Sequence, residues 1–108
     1  MKKFLVLYRS TVSTKDQMSK GTPEQAKAGM DAWMGWAKRT GAALVDLGAP
    51  LGDSTLLRGT AGPGYIGGYS IVQADSPEAA KRLFDGHPHF EAPAGSIELL
   101  ELLSIPGM

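Results

Sequence analysis

The sequence predicts an α+β domain with the element order β-α-β-β-α-β. Two proline-led helix starts, Thr22-Pro23-Glu24-Gln25 and Ser76-Pro77-Glu78, are each preceded and followed by strand-like runs. A long glycine-rich stretch, with no helical period, separates the second strand from the third. Apolar residues in the flanking runs alternate at the strand period of two, whereas those between the caps recur at the helical period.

Lys3 to Arg9 is the first strand, with Phe4, Val6 and Tyr8 on one face and Leu5, Leu7 and Arg9 on the other. Both faces are largely apolar, as in a strand covered on two sides. Ser10 to Gly21 is polar and reads as a loop, with a turn of helix near Asp16-Gln17-Met18. The first helix opens on a capping box, Thr22 with Gln25, and on Pro23 at its first position. Ala26, Met30, Trp33 and Ala37 form a stripe widened by Met34 and Trp36, and Gly29 and Gly35 offer close packing near the tryptophans. Lys38 and Arg39 suit the negative helix end, and Gly41 stops it.

Ala42 to Leu47 is the second strand, and Asp53 to Arg58 reads as either a short strand or an arm returning toward the sheet. Gly59 to Gly64 is a flexible turn. Tyr65 to Ala74 is the third strand, and Ser76 to Asp85 a helix with Ala79, Ala80, Leu83 and Phe84 as its apolar face. Gly86 to Gly95 is loop, kept irregular by Pro88 and Pro93, and Ser96 to Leu103 is the last strand. Ser104 to Met108 is a tail.

At 108 residues the chain forms one domain, and a modest core gains from self-association. Its 11 basic and 11 acidic side chains cancel, so no basic field gathers phosphates and nucleic acid is not an expected partner. Cysteine is absent, which excludes disulfides, thiolate metal sites and cysteine nucleophiles. Met1 to Leu7 has the outline of a signal peptide, but the apolar run ends at Tyr8-Arg9 without a cleavage site. No run approaches the roughly 20 apolar residues of a membrane span. The expectation is a cytoplasmic protein with no membrane partner.

This order is the ferredoxin-like plan, an antiparallel four-stranded sheet with two helices on one face. Helices on one face leave Leu5, Leu7, Leu100 and Leu102 uncovered on the other. A second copy packed sheet against sheet buries them, so a homodimer through the sheet faces is expected.

Four stretches carry a family resemblance: KKFLVLYRS, TPEQAKAGMDAWMGWAKRTGAALVDLGAPL, GGYSIVQADSPEAAKRL with its HPHF loop, and SIELLELLSIPGM. Together they resemble the YciI-related (YCII/DGPF-like) proteins, small bacterial proteins of the dimeric α/β-barrel superfamily. The resemblance implies that fold, a dimer and a pocket; some members have a proposed His–Asp site at the barrel mouth. The DGPF tetrapeptide itself is replaced by Ala61-Gly62-Pro63-Gly64.

Both histidines, His87 and His89, flank Pro88 just beyond a helix. Each is a proton carrier or a metal ligand by type, or a cap on the helix carbonyls. No recognised metal spacing surrounds them, and no metal or cofactor is expected. Asp46 interrupts an apolar strand, and either needs a buried partner or bonds the Gly-rich turn after it. Arg9 holds a carboxylate substrate at the rim or pairs with Glu98 or Glu101. Tyr8, Tyr69 and Trp33 line a ligand pocket, with His89, or pack as core. With the resemblance, residue type assigns His87 to proton transfer, Asp46 to orientation and Arg9 to the anionic group. The enzyme would act, cofactor-free, on a small organic acid or lactone-like molecule. The alternatives are a non-catalytic ligand-binding or interaction module, and an oxygenase-like barrel enzyme for aromatic substrates.

Overall fold

A computed structural model describes residues 1–92 and 94–107. Its elements are β1 (Lys2–Ser10), α1 (Thr14–Lys20), α2 (Pro23–Thr40), β2 (Leu44–Pro50), β3 (Tyr65–Ala74), α3 (Pro77–Arg82) and β4 (Ser96–Glu101), with 3-10 turns at Gly41–Ala43 and Pro88–Glu91. The sheet order is β2-β3-β1-β4 and every neighbouring pair is antiparallel. The ferredoxin-like arrangement is thus present as one open sheet, with an additional short helix.

That helix, α1, extends the turn of helix expected near Asp16-Gln17-Met18 to seven residues within a stretch otherwise expected to be loop. Ser13 caps it by accepting from the Asp16 N–H, and Asp16 sits in the positive first turn. Thr14 ties it to the sheet by donating to the Gly67 carbonyl at 2.8 Å. The capping box on α2 forms in full, with Thr22 and Gln25 each bonding the other's backbone. Only the second half of α2 packs, through Trp33, Trp36 and Ala37. Residues 23–32 are exposed, including Ala26 and Met30 of the expected stripe. Gly29 and Gly35 meet nothing where a Cβ would stand, so the close packing expected there is absent.

A 3-10 turn delays β2, whose pairing with β3 then shifts twice between Leu44 and Ala49. Gly48 permits this course: its φ is +79°, and a Cβ would run into the Tyr69 carbonyl. Asp53 to Arg58 forms no strand, and residues 52–64 are an exposed arm. Pro88 does not keep its loop irregular. It takes the first position of a 3-10 turn capped by His87, where its missing N–H costs nothing. Pro93 and Met108, from the expected loop and tail, lie outside the described residues.

Strand alternation sorts the two sheet faces as expected. Phe4, Val6, Tyr8, Val72 and Ala74 join Trp36, Ala80 and Phe84 in one core between sheet and helices. Full burial of residues such as Phe4 and Val72 stabilises the fold by about 1.5–3 kcal/mol each. On the other face, Leu5 lies between Ile71 and Leu100, and Leu7 between Tyr69 and Glu98. Among the described residues no helix covers that face, and the molecule is 21 Å thick along its shortest axis, as two layers of structure require. Its radius of gyration, 14.9 Å, exceeds the roughly 13 Å of a compact domain this long, because the arm and the first half of α2 project.

Candidate functional site

Tyr8 on β1, Trp33 and Trp36 on α2 and Phe84 after α3 surround one polar side chain, His87, which is 2% exposed. The imidazole stacks on Tyr8 at 5.2 Å between ring centroids, and meets Trp33 and Trp36 edge-to-face at 4.5 Å each. Phe84 closes the cage at 5.6 Å. Local sequence delivers the ring there. Gly86, at φ +70°, turns the chain out of the α3 segment, and the His87 N–H then bonds the Phe84 carbonyl at 3.0 Å. Trp36 is fixed by donating its Nε1–H to the Leu83 carbonyl at 2.8 Å, which ties α2 to the end of α3.

His87 Nδ1 accepts the His89 backbone N–H at 3.0 Å, so it is an unprotonated nitrogen. The ring proton of the neutral form is therefore on Nε2, which is buried and without a hydrogen-bond partner among the described residues. Aromatic faces offer that N–H only weak acceptance. Burial, assisted by the positive charges of His89 and Arg39, pushes the His87 pKa down to about 4. A second imidazolium proton has no acceptor in this cage, and the ring is neutral at pH 7.

His89 lies half-buried beside Tyr8, at 5.4 Å edge-to-face. Its Nε2–H donates to the Arg9 carbonyl at 2.8 Å, because a carbonyl oxygen can only accept. Neither histidine side chain bonds the carbonyls of the α3 helix end. His87 instead caps the following 3-10 turn, and His89 pins that turn to β1.

Tyr8 also donates its hydroxyl to Ser70 Oγ at 2.9 Å, and Ser70 passes a hydrogen bond to the Leu47 carbonyl at 2.6 Å. This relay crosses three strands on the core side. Burial raises the Tyr8 pKa to about 12, against a smaller lowering by the Ser70 bond. The hydroxyl is a fixed structural donor.

The other expected site residues stand elsewhere. Arg9 points to the uncovered sheet face, and its guanidinium Nε holds Glu98 at 3.0 Å with both side chains substantially exposed. Asp46 pairs in register with Ile71, on that same uncovered face, and accepts from the Gly48 N–H at 2.8 Å. Tyr69 is there too, opposite Leu7. The sheet thus separates Asp46, Arg9 and Tyr69 from His87, Tyr8 and Trp33. Among the described residues the histidine has no carboxylate partner, and no proton-transfer pair forms within the chain. Ser70 and Phe84 belong to the histidine cluster but were not expected there: Ser70 read only as part of the third strand, and Phe84 only as part of the apolar face of the helix after it.

Among the described residues, no group of three or more His, Asp or Glu side chains is placed to hold a metal ion. No helix among them is long and apolar enough to cross a membrane. The chain matches no protein-family model and no curated protein.

Proposed function

We propose that this chain is a non-catalytic interaction module that acts as a homodimer, joined through the uncovered sheet face in a dimeric α/β barrel of the YciI-related kind. The observation that carries this reading is the apolar centre of that face. Leu5, Leu7, Ile71 and Leu100 lie across three adjacent strands with no layer above them. Leu100, next to the last residue of β4, is 41% exposed. An isologous partner covers this patch with its own equivalent, and the flanking Arg9–Glu98 pair forms a polar rim.

His87 is a packing residue in this reading. Its uncharged ring, its aromatic walls and the missing carboxylate speak against acid/base work within a single chain. The four-residue 3-10 turn it caps is held rigidly against α2 and β1, which keeps the covered face of the sheet fixed while the other face docks.

Native mass spectrometry with Leu5→Glu and Leu100→Glu tests the reading. The wild-type protein is expected at twice the chain mass of 11.4 kDa, and each charged variant at the monomer mass with unchanged secondary structure. A wild-type monomer at micromolar concentration, or charged variants that still dimerise, would sink the sheet-face interface.

A further inference from the structure

The arm between β2 and β3 is left without a role in the single chain. Leu57 is 95% exposed and Leu56 56%, side by side in the run Asp53-Ser54-Thr55-Leu56-Leu57-Arg58. The arm's base is tethered, by Leu51 N–H to the Gly67 carbonyl at 2.9 Å and by Lys15 to Asp53 at 3.6 Å. The apex carries two adjacent leucines, Leu57 at the start of a bend over residues 57–59; drawn straight into a strand, the two point to opposite faces. Such a segment suits the edge of a sheet that is apolar on both sides.

The sheet has two edges, and they differ. β2 is blunted by its two register shifts and by Pro50. β4 pairs with β1 through six residues without irregularity and contains no proline. Leu102 N–H bonds the Lys3 carbonyl at 2.8 Å, so the backbones of Leu100, Glu98 and Ser96 also turn toward β1. Those of Ile97, Leu99 and Glu101 turn outward, as unpaired donors and acceptors. Beside this edge a groove of about 430 Å³ opens between β4 and α3, with Ile97 and Leu99 as floor and Phe84 and Phe90 as wall.

We propose that the arm of one copy adds to the β4 edge of the second copy as an antiparallel fifth strand, with Leu57 opposite Leu99. In that register three pairs match at once. Leu57 enters the groove beside Leu99, Leu56 lies against Leu100 on the opposite face, and Arg58 stands opposite Glu98 on the face where Glu98 is already exposed. Cross-strand pairs of opposite charge and of apolar side chains both stabilise a sheet. A one-residue slip puts every arm side chain on the wrong face, and a two-residue slip sets Leu56 against Glu98 or Arg58 against Leu100. Charge and apolar pattern therefore select one register. This inference rests on the proposed self-association and names a second contact within it.

The chain has no cysteine, so introduced thiols report without background. Leu57→Cys protein is mixed with Leu99→Cys protein under mild oxidation, and Leu56→Cys with Leu100→Cys in parallel. The second pair uses exposed positions that do not threaten folding. Directly opposed residues stand about 5.5 Å apart at Cα in a hydrogen-bonded pair such as Leu57 with Leu99, and about 4.5 Å in a non-hydrogen-bonded pair such as Leu56 with Leu100, both within disulfide reach. The mixed disulfide is expected to form roughly tenfold faster in both pairs than between Leu57→Cys and the off-register Ile97→Cys. A native dimer with neither mixed disulfide overturns the arm contact and leaves the sheet-face interface standing. A native monomer overturns both.

Discussion

Replacing His87 by phenylalanine keeps a ring in the aromatic cage but removes the group that titrates there. In the folded chain His87 has its pKa pushed down to about 4, from an ordinary value of 6.5. Below pH 6.5 the unfolded chain therefore takes up a proton that the folded chain refuses, and stability falls as the pH drops. The loss levels off below about pH 4, where both states are protonated. Between about pH 7 and about pH 4.5 the linkage amounts to about 2–3 kcal/mol. With a urea m-value of about 1.5 kcal/mol/M, the midpoint drops by about 1–2 M from this group alone. Carboxylates titrate in the same range, so the quantity of interest is the difference between wild type and His87→Phe. Urea unfolding followed by the fluorescence of Trp33 and Trp36, which touch the imidazole, reads it directly. The variant is expected to lose about 2–3 kcal/mol less than wild type between the two pH values. Equal losses would refute the argument, because they would mean that the ring protonates in place and that water reaches the cage.

The relay through Tyr8 and Ser70 predicts an order of cost. Ser70→Ala leaves the buried Tyr8 hydroxyl and the Leu47 carbonyl without partners and is expected to cost about 2–3 kcal/mol, whereas Tyr8→Phe removes one bond for about 1 kcal/mol; chemical denaturation measures both. Thr22→Ala breaks the capping box at a helix half that is otherwise unpacked. It is expected to speed amide hydrogen exchange about fivefold over residues 25–31, corresponding to about 1 kcal/mol, while the global midpoint barely moves. Gly48→Ala forces a side chain into the Tyr69 backbone at a positive φ, and a drop in thermal midpoint of several degrees is expected, since a cost of about 1–3 kcal/mol shifts a domain of this size by that much.

The fold was readable where local chemistry and tertiary burial agree. Thr22-Pro23 and Ser76-Pro77 mark helix starts by capping alone, and the alternation of β1 separated Phe4, Val6 and Tyr8 from Leu5, Leu7 and Arg9 before any sheet was seen. α1 was legible only as a turn near Asp16-Gln17-Met18, because Thr14 to Lys20 carries no apolar stripe, only a cap at Ser13. The 3-10 turn at Pro88 escaped because a proline read as a breaker also serves as a first position. His87 stood out by residue type, but its burial depends on Tyr8, Trp33, Trp36 and Phe84, which come from three other parts of the chain. Asp46 and His87 were brought together by residue type and resemblance, which carry no strand-face information, and the pairing of Asp46 with Ile71 sets it on the uncovered face.

The strand order also constrains when this molecule becomes whole. β1 is synthesised first but ends between β3 and β4, so it gains its first neighbour only after Tyr65–Ala74 exists and its second only after Ser96–Glu101. At ribosomal speeds of roughly 5–20 residues per second, β1 therefore waits several seconds with both edges bare. The pairing of Lys2 with Ala74 closes a loop spanning most of the chain, which belongs to the slow end of single-domain folding. Crowding of nascent chains on one message is then the moment of greatest aggregation risk, and a trigger-factor-like holdase that shields Lys2–Ser10 during translation should raise the soluble yield more than one added after chain release.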